Sequence, residues 1–251
     1  MSKLEIKNLK VEVDLPTMAQ AKGKLVVDGA SLSFDSRQVH ILMGPNGSGK
    51  SSLVNAIMGH PAYKIVGGSI VLDGEDITNL KVEEKAKKGL FLSMQYLPEI
   101  EGVSLASFLY RAYKQLKRED VAVLDFYKLL EAKVNELDIN SEILKRDLHV
   151  GFSGGEKKLS ELLQLFVLEP KLAFLDEIDS GVDVDALKKV CKGITKLSEN
   201  GTGFLLITHY NTIMQYITPD FVHVMYNGNI IRSGGRELAD EIAEKGFKDI
   251  V

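Results

Sequence analysis

One short stretch limits the folds open to this chain more than any other feature. Gly44-Pro45-Asn46-Gly47-Ser48-Gly49-Lys50-Ser51 follows directly on the apolar run Val39-His40-Ile41-Leu42-Met43. It precedes Ser52-Leu53-Val54-Asn55-Ala56-Ile57-Met58, whose pattern is helical. Strand, glycine-rich loop and helix start, in that order, form a phosphate cradle. The glycines let backbone N–H groups converge on phosphate oxygens at a positive helix end. At this spacing Lys50 adds a point charge for β- and γ-phosphates and Ser51 offers a hydroxyl to Mg²⁺. Gly44, Pro45, Asn46, Gly47, Ser48, Gly49, Lys50, Ser51 and Ser52 are therefore the candidate phosphate-binding residues.

The remaining chemistry has to fit this loop. Leu172-Ala173-Phe174-Leu175-Asp176-Glu177 reads as a buried strand ending in two acids. Ionised acids at the tip of an apolar strand are costly unless they are paired or face a cation. Asp176 is placed to hold Mg²⁺ and Glu177 to polarise an attacking water. Phe152-Ser153-Gly154-Gly155-Glu156 has Ser and Glu three residues apart, a capping box that by itself marks only a helix start. The same geometry, with two glycines leaving N–H groups open, also suits a phosphate. Ser153, Gly154, Gly155 and Glu156 are candidates on that ground. Gln95 ends a short apolar strand, where its amide can reach metal, water or γ-phosphate. His209 follows the strand ending Ile207-Thr208, and a neutral imidazole there can hold γ-phosphate or water.

Composition excludes several classes. With 251 residues the chain is long enough for one large α/β unit carrying an inserted lobe. A net charge of −4 offers no broad basic surface for nucleic acid. No apolar run approaches the ~18 residues of a membrane span, and Met1 to Lys7 lacks the apolar stretch of a secretory signal. These readings lead us to expect a soluble cytoplasmic protein with no nucleic-acid partner and no direct membrane insertion. Cys191 is the only cysteine, so neither an internal disulfide nor a thiolate cluster site is available within the chain. Its place in a helical pattern makes it a small buried thiol. The five histidines are scattered without metal-ligand spacing.

Along the chain, residues 4–13 alternate as a strand, and 25–34 read as a second. A strand beginning after Gly67-Gly68 turns at Asp73-Gly74 as part of an antiparallel hairpin, and Asn227-Gly228 marks another. Lys85-Ala86-Lys87-Lys88 is expected to be a solvated helix end. Between about Val103 and Pro170 the pattern is helical, with no strand expected to interrupt it.

Taken together, the loop at 44–51, Gln95, the Ser-Gly-Gly-Glu run, the acids at 176–177, residues 180–183 and His209 resemble the ABC ATPases in order and spacing over nearly the whole chain. The resemblance implies an α/β P-loop NTPase (RecA-like) core with an antiparallel β subdomain. Within the single ABC domain of 1–251, residues 1–95 and 171–251 would form that core and 96–170 an inserted α-helical subdomain carrying the signature. It also implies an Mg²⁺-dependent ATPase in which Glu177, His209 and Lys50 are catalytic and Ser51, Gln95 and Asp176 serve the metal. A second ABC ATPase subunit would pair with it in a transient nucleotide-dependent dimer, so that residues 153–156 act on the partner's ATP.

Two departures narrow the resemblance. Transporter ATPases typically continue from the signature with Gln-Arg, and from the two acids with Pro-Thr-Ser-Ala-Leu-Asp. Here Gly151-Phe152-Ser153-Gly154-Gly155-Glu156-Lys157-Lys158 and Ile178-Asp179-Ser180-Gly181-Val182-Asp183 stand instead. These runs, with Gly59-His60-Pro61-Ala62-Tyr63 and Thr208-His209-Tyr210, are similar to the SufC-type ATPases of the Suf iron–sulfur cluster assembly system. That similarity implies SufB/SufD-like scaffold partners docking around Tyr96, Pro98, Ile100 and Val103. The alternative, which shares every catalytic motif, is the nucleotide-binding subunit of a membrane ABC transporter.

Overall fold

A computed structural model describes residues 1–13, 23–117, 120–208 and 211–247. The chain opens with β1 (Lys3–Val13), β2 (Lys24–Asp35) and β3 (Val39–Met43), then the loop that leads into α1 (Lys50–Met58). Next come β4 (Tyr63–Leu72), β5 (Glu75–Asp76), α2 (Val82–Lys87), β6 (Leu90–Ser93) and β7 (Ile100–Ser104). A helical stretch holds α3 (Leu105–Lys117), α4 (Val123–Glu136), the short strand β8 (Asp147–Leu148) and α5 (Gly154–Leu168). The chain then runs through β9 (Leu172–Asp176), α6 (Val184–Glu199), β10 (Gly203–Ile207), β11 (Phe221–Tyr226), β12 (Asn229–Gly234) and α7 (Arg236–Lys245).

The central sheet has the order β12-β11-β3-β10-β9-β6. Its pairs are parallel except β11 with β12. β3, β9 and β10 are buried at every position, as central parallel strands must be when both faces are covered. On one face the core gathers Phe166, Leu187, Cys191 and Ile194 from α5 and α6. On the other it joins α1 to the antiparallel sheet β2-β1-β4-β5 through Leu53, Ile57, Leu4 and Phe34. A third apolar cluster lies among residues 105–168, built on Leu109, Phe126, Leu130 and Leu163. Register places the carboxyl ends of three strands level, with Ile207 opposite both Leu42 and Asp176. Open α/β sheets bind ligands at that end.

Several expectations need correction. β4 starts at Tyr63 and runs through Gly67-Gly68 rather than beginning after them; Gly68, at φ 80, absorbs a register shift opposite β1. The helical stretch is interrupted by a strand pair, β7 with β8. Lys85 is not solvated. It is fully buried and donates to Ile57 O at 2.8 Å and to Thr78 O at 3.4 Å, capping the end of α1. Burial pushes its amine down to about 8. The expected burial of Cys191 holds, with the thiol pushed up to about 12 by burial. His40 and His223, 183 positions apart in sequence, meet with Nδ1 and Nε2 at 2.9 Å.

Candidate functional site

The glycine-rich loop is held open from below. Ser48 O accepts from Gly228 N and Gly228 O from Asp28 N, each at 2.8 Å, so the loop is stitched to the β11–β12 turn and to β2. Gly49 sits at φ 108, and a Cβ there would come within 2.6 Å of Val26 O, so only glycine fits. As N-cap of α1 it supplies no side-chain acceptor, which leaves the first-turn N–H groups available to phosphate. Ser48 Oγ is buried without a hydrogen-bond partner. Lys50 is 5% exposed and folds back over the loop, donating to Gly44 O at 2.8 Å and Pro45 O at 3.1 Å. Burial pushes its amine down to about 8, against the pull of Asp176 and Glu177.

The two acids lie where β9 ends. Asp176 is 2% exposed, and burial pushes its carboxyl up despite a hydrogen bond from Ser51 and the nearby charges of Lys50 and Lys158. Its Oδ1 has no hydrogen-bond partner. An orphaned buried carboxylate oxygen beside a serine hydroxyl is a donor set that fits a hard divalent cation. Among the described residues no cluster of three His, Cys, Asp or Glu side chains could hold a metal alone, so the remaining ligands would have to be phosphate oxygens and water. Glu177 turns sharply away, at φ 52, while its N–H still donates to Ile207 O at 3.0 Å. Such backbone strain is common where a side chain must be aimed. Gln95, two residues beyond β6, donates its amide to Glu177 Oε2 at 2.6 Å. Lys50, Ser51, Gln95, Asp176 and Glu177, scattered in sequence, thus converge. His209 lies outside the described residues.

The Ser-Gly-Gly-Glu run is the start of α5, which begins at Gly154, with Ser153 and Gly154 exposed and Gly155 and Glu156 half-buried. The capping box is present: Ser153 Oγ accepts from Glu156 N at 3.2 Å and Glu156 Oε2 from Ser153 N at 2.8 Å. A Cβ on Gly154 would stand 2.2 Å from Gly181 O, so this helix start is pressed against the 180–183 segment. Three residues fix the loop, and the sequence reasoning gave none of them that role. Arg146 lies 4.3 Å over the Phe152 ring, donates to Gly151 O at 2.7 Å and pairs with Glu156. His149 joins the loop to Pro98 O at 3.0 Å, and Lys157 reaches Glu99 at 3.0 Å. The only local signal was an arginine close upstream of a glutamate; the contacts to 98 and 99 leave none.

The family model described as ABC transporter matches residues 27–180. Vegetative protein 296 of Bacillus subtilis is 46% identical over 248 residues, spanning 98% of this chain and 92% of that protein. A probable ATP-dependent transporter of Synechocystis is 46% identical, spanning 97% of this chain and 94% of its own length. Among solved structures, a nucleotide-free ATP-binding cassette from an ABC transporter superposes with TM-score 0.75 at 26% identity, covering 98% of this chain and 96% of that one. A dimeric cassette in a post-hydrolysis state with ADP and Pi gives 0.80 at 16% identity, covering 92% and 98%, a likeness of fold alone. With the family model matched over residues 27–180 and a relative 46% identical along nearly its whole length, the chain is an ATPase and belongs to the ABC transporter ATP-binding family.

Proposed function

We propose that this chain is a SufC-type ATPase, which hydrolyses ATP to drive iron–sulfur cluster assembly on a SufB/SufD-type scaffold in the cytoplasm. The runs Gly151–Lys158 and Ile178–Asp183 support this over a transporter subunit, because both depart from the transporter pattern. Residues 1–95 and 171–251 serve as the nucleotide-binding core and 96–170 as the helical subdomain. Among the described residues no helix is long and apolar enough to cross a membrane. The observation that carries the docking half of the reading is Tyr96, 81% exposed beside Gln95, with Met94 and Ile100 also exposed. Large apolar side chains grouped at a surface mark a protein contact.

The chemistry follows from the side chains. The amides of 44–49 and Lys50 bind the β- and γ-phosphates, and Lys50 neutralises charge as the γ-phosphoryl group leaves. Ser51 and Asp176 would hold magnesium, with Gln95 near its shell; the ion would supply charge neutralisation on the phosphate oxygens. Glu177, aimed by its strained backbone and by the Gln95 amide, takes the proton of the attacking water, and ADP and phosphate leave. His209 is assigned to the γ-phosphate from its position after Thr208. In a transient dimer, Ser153 to Glu156 close over the partner's ATP, a role that suits a helix N-terminus whose first two residues, Ser153 and Gly154, are exposed.

A second reading, the nucleotide-binding subunit of a membrane transporter, is favoured by the description of the Synechocystis relative as a probable ATP-dependent transporter. Affinity purification of the tagged protein from its native cells separates the two. We expect a soluble complex with SufB/SufD-like chains that survives without detergent. Recovery of an integral membrane permease instead would overturn the Suf assignment.

A further inference from the structure

Three buried polar side chains between α5 and β6 have no part in the proposed hydrolysis beyond the charge that one of them, Lys158, sets near Asp176. Ser93, the last residue of β6, is 2% exposed, and Lys158 and Glu161 on α5 are 7% and 5% exposed. Ser93 Oγ donates to Glu161 Oε1, and Lys158 Nζ donates to Glu161 Oε2 at 3.0 Å. Each carboxylate oxygen of Glu161 thus has a donor. A buried ion pair is a poor source of net stability, because desolvating both charges offsets their attraction. Its best-attested use is to select one arrangement among several of similar packing energy.

The arrangement selected here is the end of β6. Ser93 stands in register with Leu175, the residue before Asp176. Gln95, two residues beyond Ser93, makes the 2.6 Å bond that orients Glu177. Gln95 is exposed and lies past the last ladder pair of β6, so the ladder does not hold it. The side-chain bond at Ser93 is the last anchor before that glutamine. Displacing a catalytic group by about 1 Å can cost on the order of a hundredfold in rate.

We propose that Glu161, clamped by Lys158, is a positioning residue that acts through Ser93 to hold Gln95 against Glu177. It touches neither nucleotide nor attacking water. The proposal rests on the reading of Glu177 as the group that polarises water.

The test uses the purified full chain with Mg-ATP, measuring phosphate release, affinity for a fluorescent ATP analogue and melting temperature. Ser93→Ala is expected to lower kcat about tenfold with analogue affinity within twofold of wild type, and Ser93→Thr, which keeps the hydroxyl, to recover most of that loss. Glu161→Gln, which keeps the volume but unpairs Lys158, is expected to lower kcat in the same way. In a Gln95→Ala background, Ser93→Ala should change kcat by less than twofold, because the route through Gln95 is already cut. Unchanged kcat in Ser93→Ala, equal losses of kcat and affinity, or a tenfold loss repeated in the Gln95→Ala background would overturn the proposal. Failure of both Ser93→Ala and Glu161→Gln to fold would overturn it too, by making the cluster a purely structural one. A wild-type chain that releases no phosphate would end the reading of Glu177 itself, whereas a hydrolysing wild type matched by Ser93→Ala ends this proposal alone.

Discussion

Gln95 and Glu177, 82 positions apart in sequence, are joined by a 2.6 Å hydrogen bond from the amide to the carboxylate. The bond lies between the end of β6 and the tip of β9, which are neighbours in the parallel sheet. It ties a residue assigned to the metal shell to the one assigned to water.

Removing the amide should therefore cost turnover more than binding. Gln95→Ala is expected to reduce kcat about tenfold or more while ATP affinity stays within a few-fold, since the phosphate loop is untouched. Steady-state kinetics alongside nucleotide titration checks this. A loss confined to KM would contradict the orienting role.

Arg146 offers a separate test of the signature loop. It stacks on Phe152, donates to Gly151 O and pairs with Glu156, so it holds the segment that the proposed dimer presents to its partner's ATP. Arg146→Ala is expected to lower kcat about tenfold at a stability cost of about 1 kcal/mol, with ATP affinity of the monomer unchanged. Arg146→Lys should not restore activity, because an ammonium lacks the planar fork that serves stacking and two acceptors together. Full activity in the lysine variant would contradict this.

The His40–His223 pair predicts acid sensitivity of the fold. Gln38 Oε1 accepts from His40 Nε2 at 3.0 Å, so His40 Nδ1 accepts from His223 Nε2, and His223 Nδ1 accepts from Ser233 Oγ at 2.7 Å. Every ring nitrogen is used with both rings neutral. Burial, and for His40 also the proximity of His223, lowers the pair to about 3 and about 4 from 6.5. The unfolded chain takes up protons below 6.5 that the folded chain refuses. Stability is therefore full above pH 6.5 and falls as pH drops towards 4, by about 2 kcal/mol per imidazole at pH 5. Urea unfolding at pH 7.5 and 5.0 should show that loss, and His223→Gln should shrink it by about half. Equal pH dependence in the two proteins would contradict the neutral pair.

What the sequence disclosed depended on how local each signal was. The phosphate loop, the acid tip of β9 and the Ser153–Glu156 capping box are each written within a few consecutive residues, and their physics is local. The buried Ser93–Glu161 bond spans 68 positions and the histidine pair 183, and no periodicity encodes a polar contact between distant elements. Lys85 misled for a related reason. In a run of lysines, solvation is the ordinary outcome, but α2 brings this one side chain over the carbonyl end of α1. The β7–β8 pair escaped because β8 is two residues long and carries no alternation.

In the proposed mechanism, ATP held over residues 44–51 is hydrolysed with Glu177 polarising the water. The most direct measurement is phosphate release from Mg-ATP by wild type and Glu177→Gln, with nucleotide binding followed in the same preparations. Turnover is expected to drop at least a hundredfold in Glu177→Gln, with undiminished ATP affinity and a dimer that persists while ATP is bound. Turnover by Glu177→Gln at the wild-type rate would contradict it.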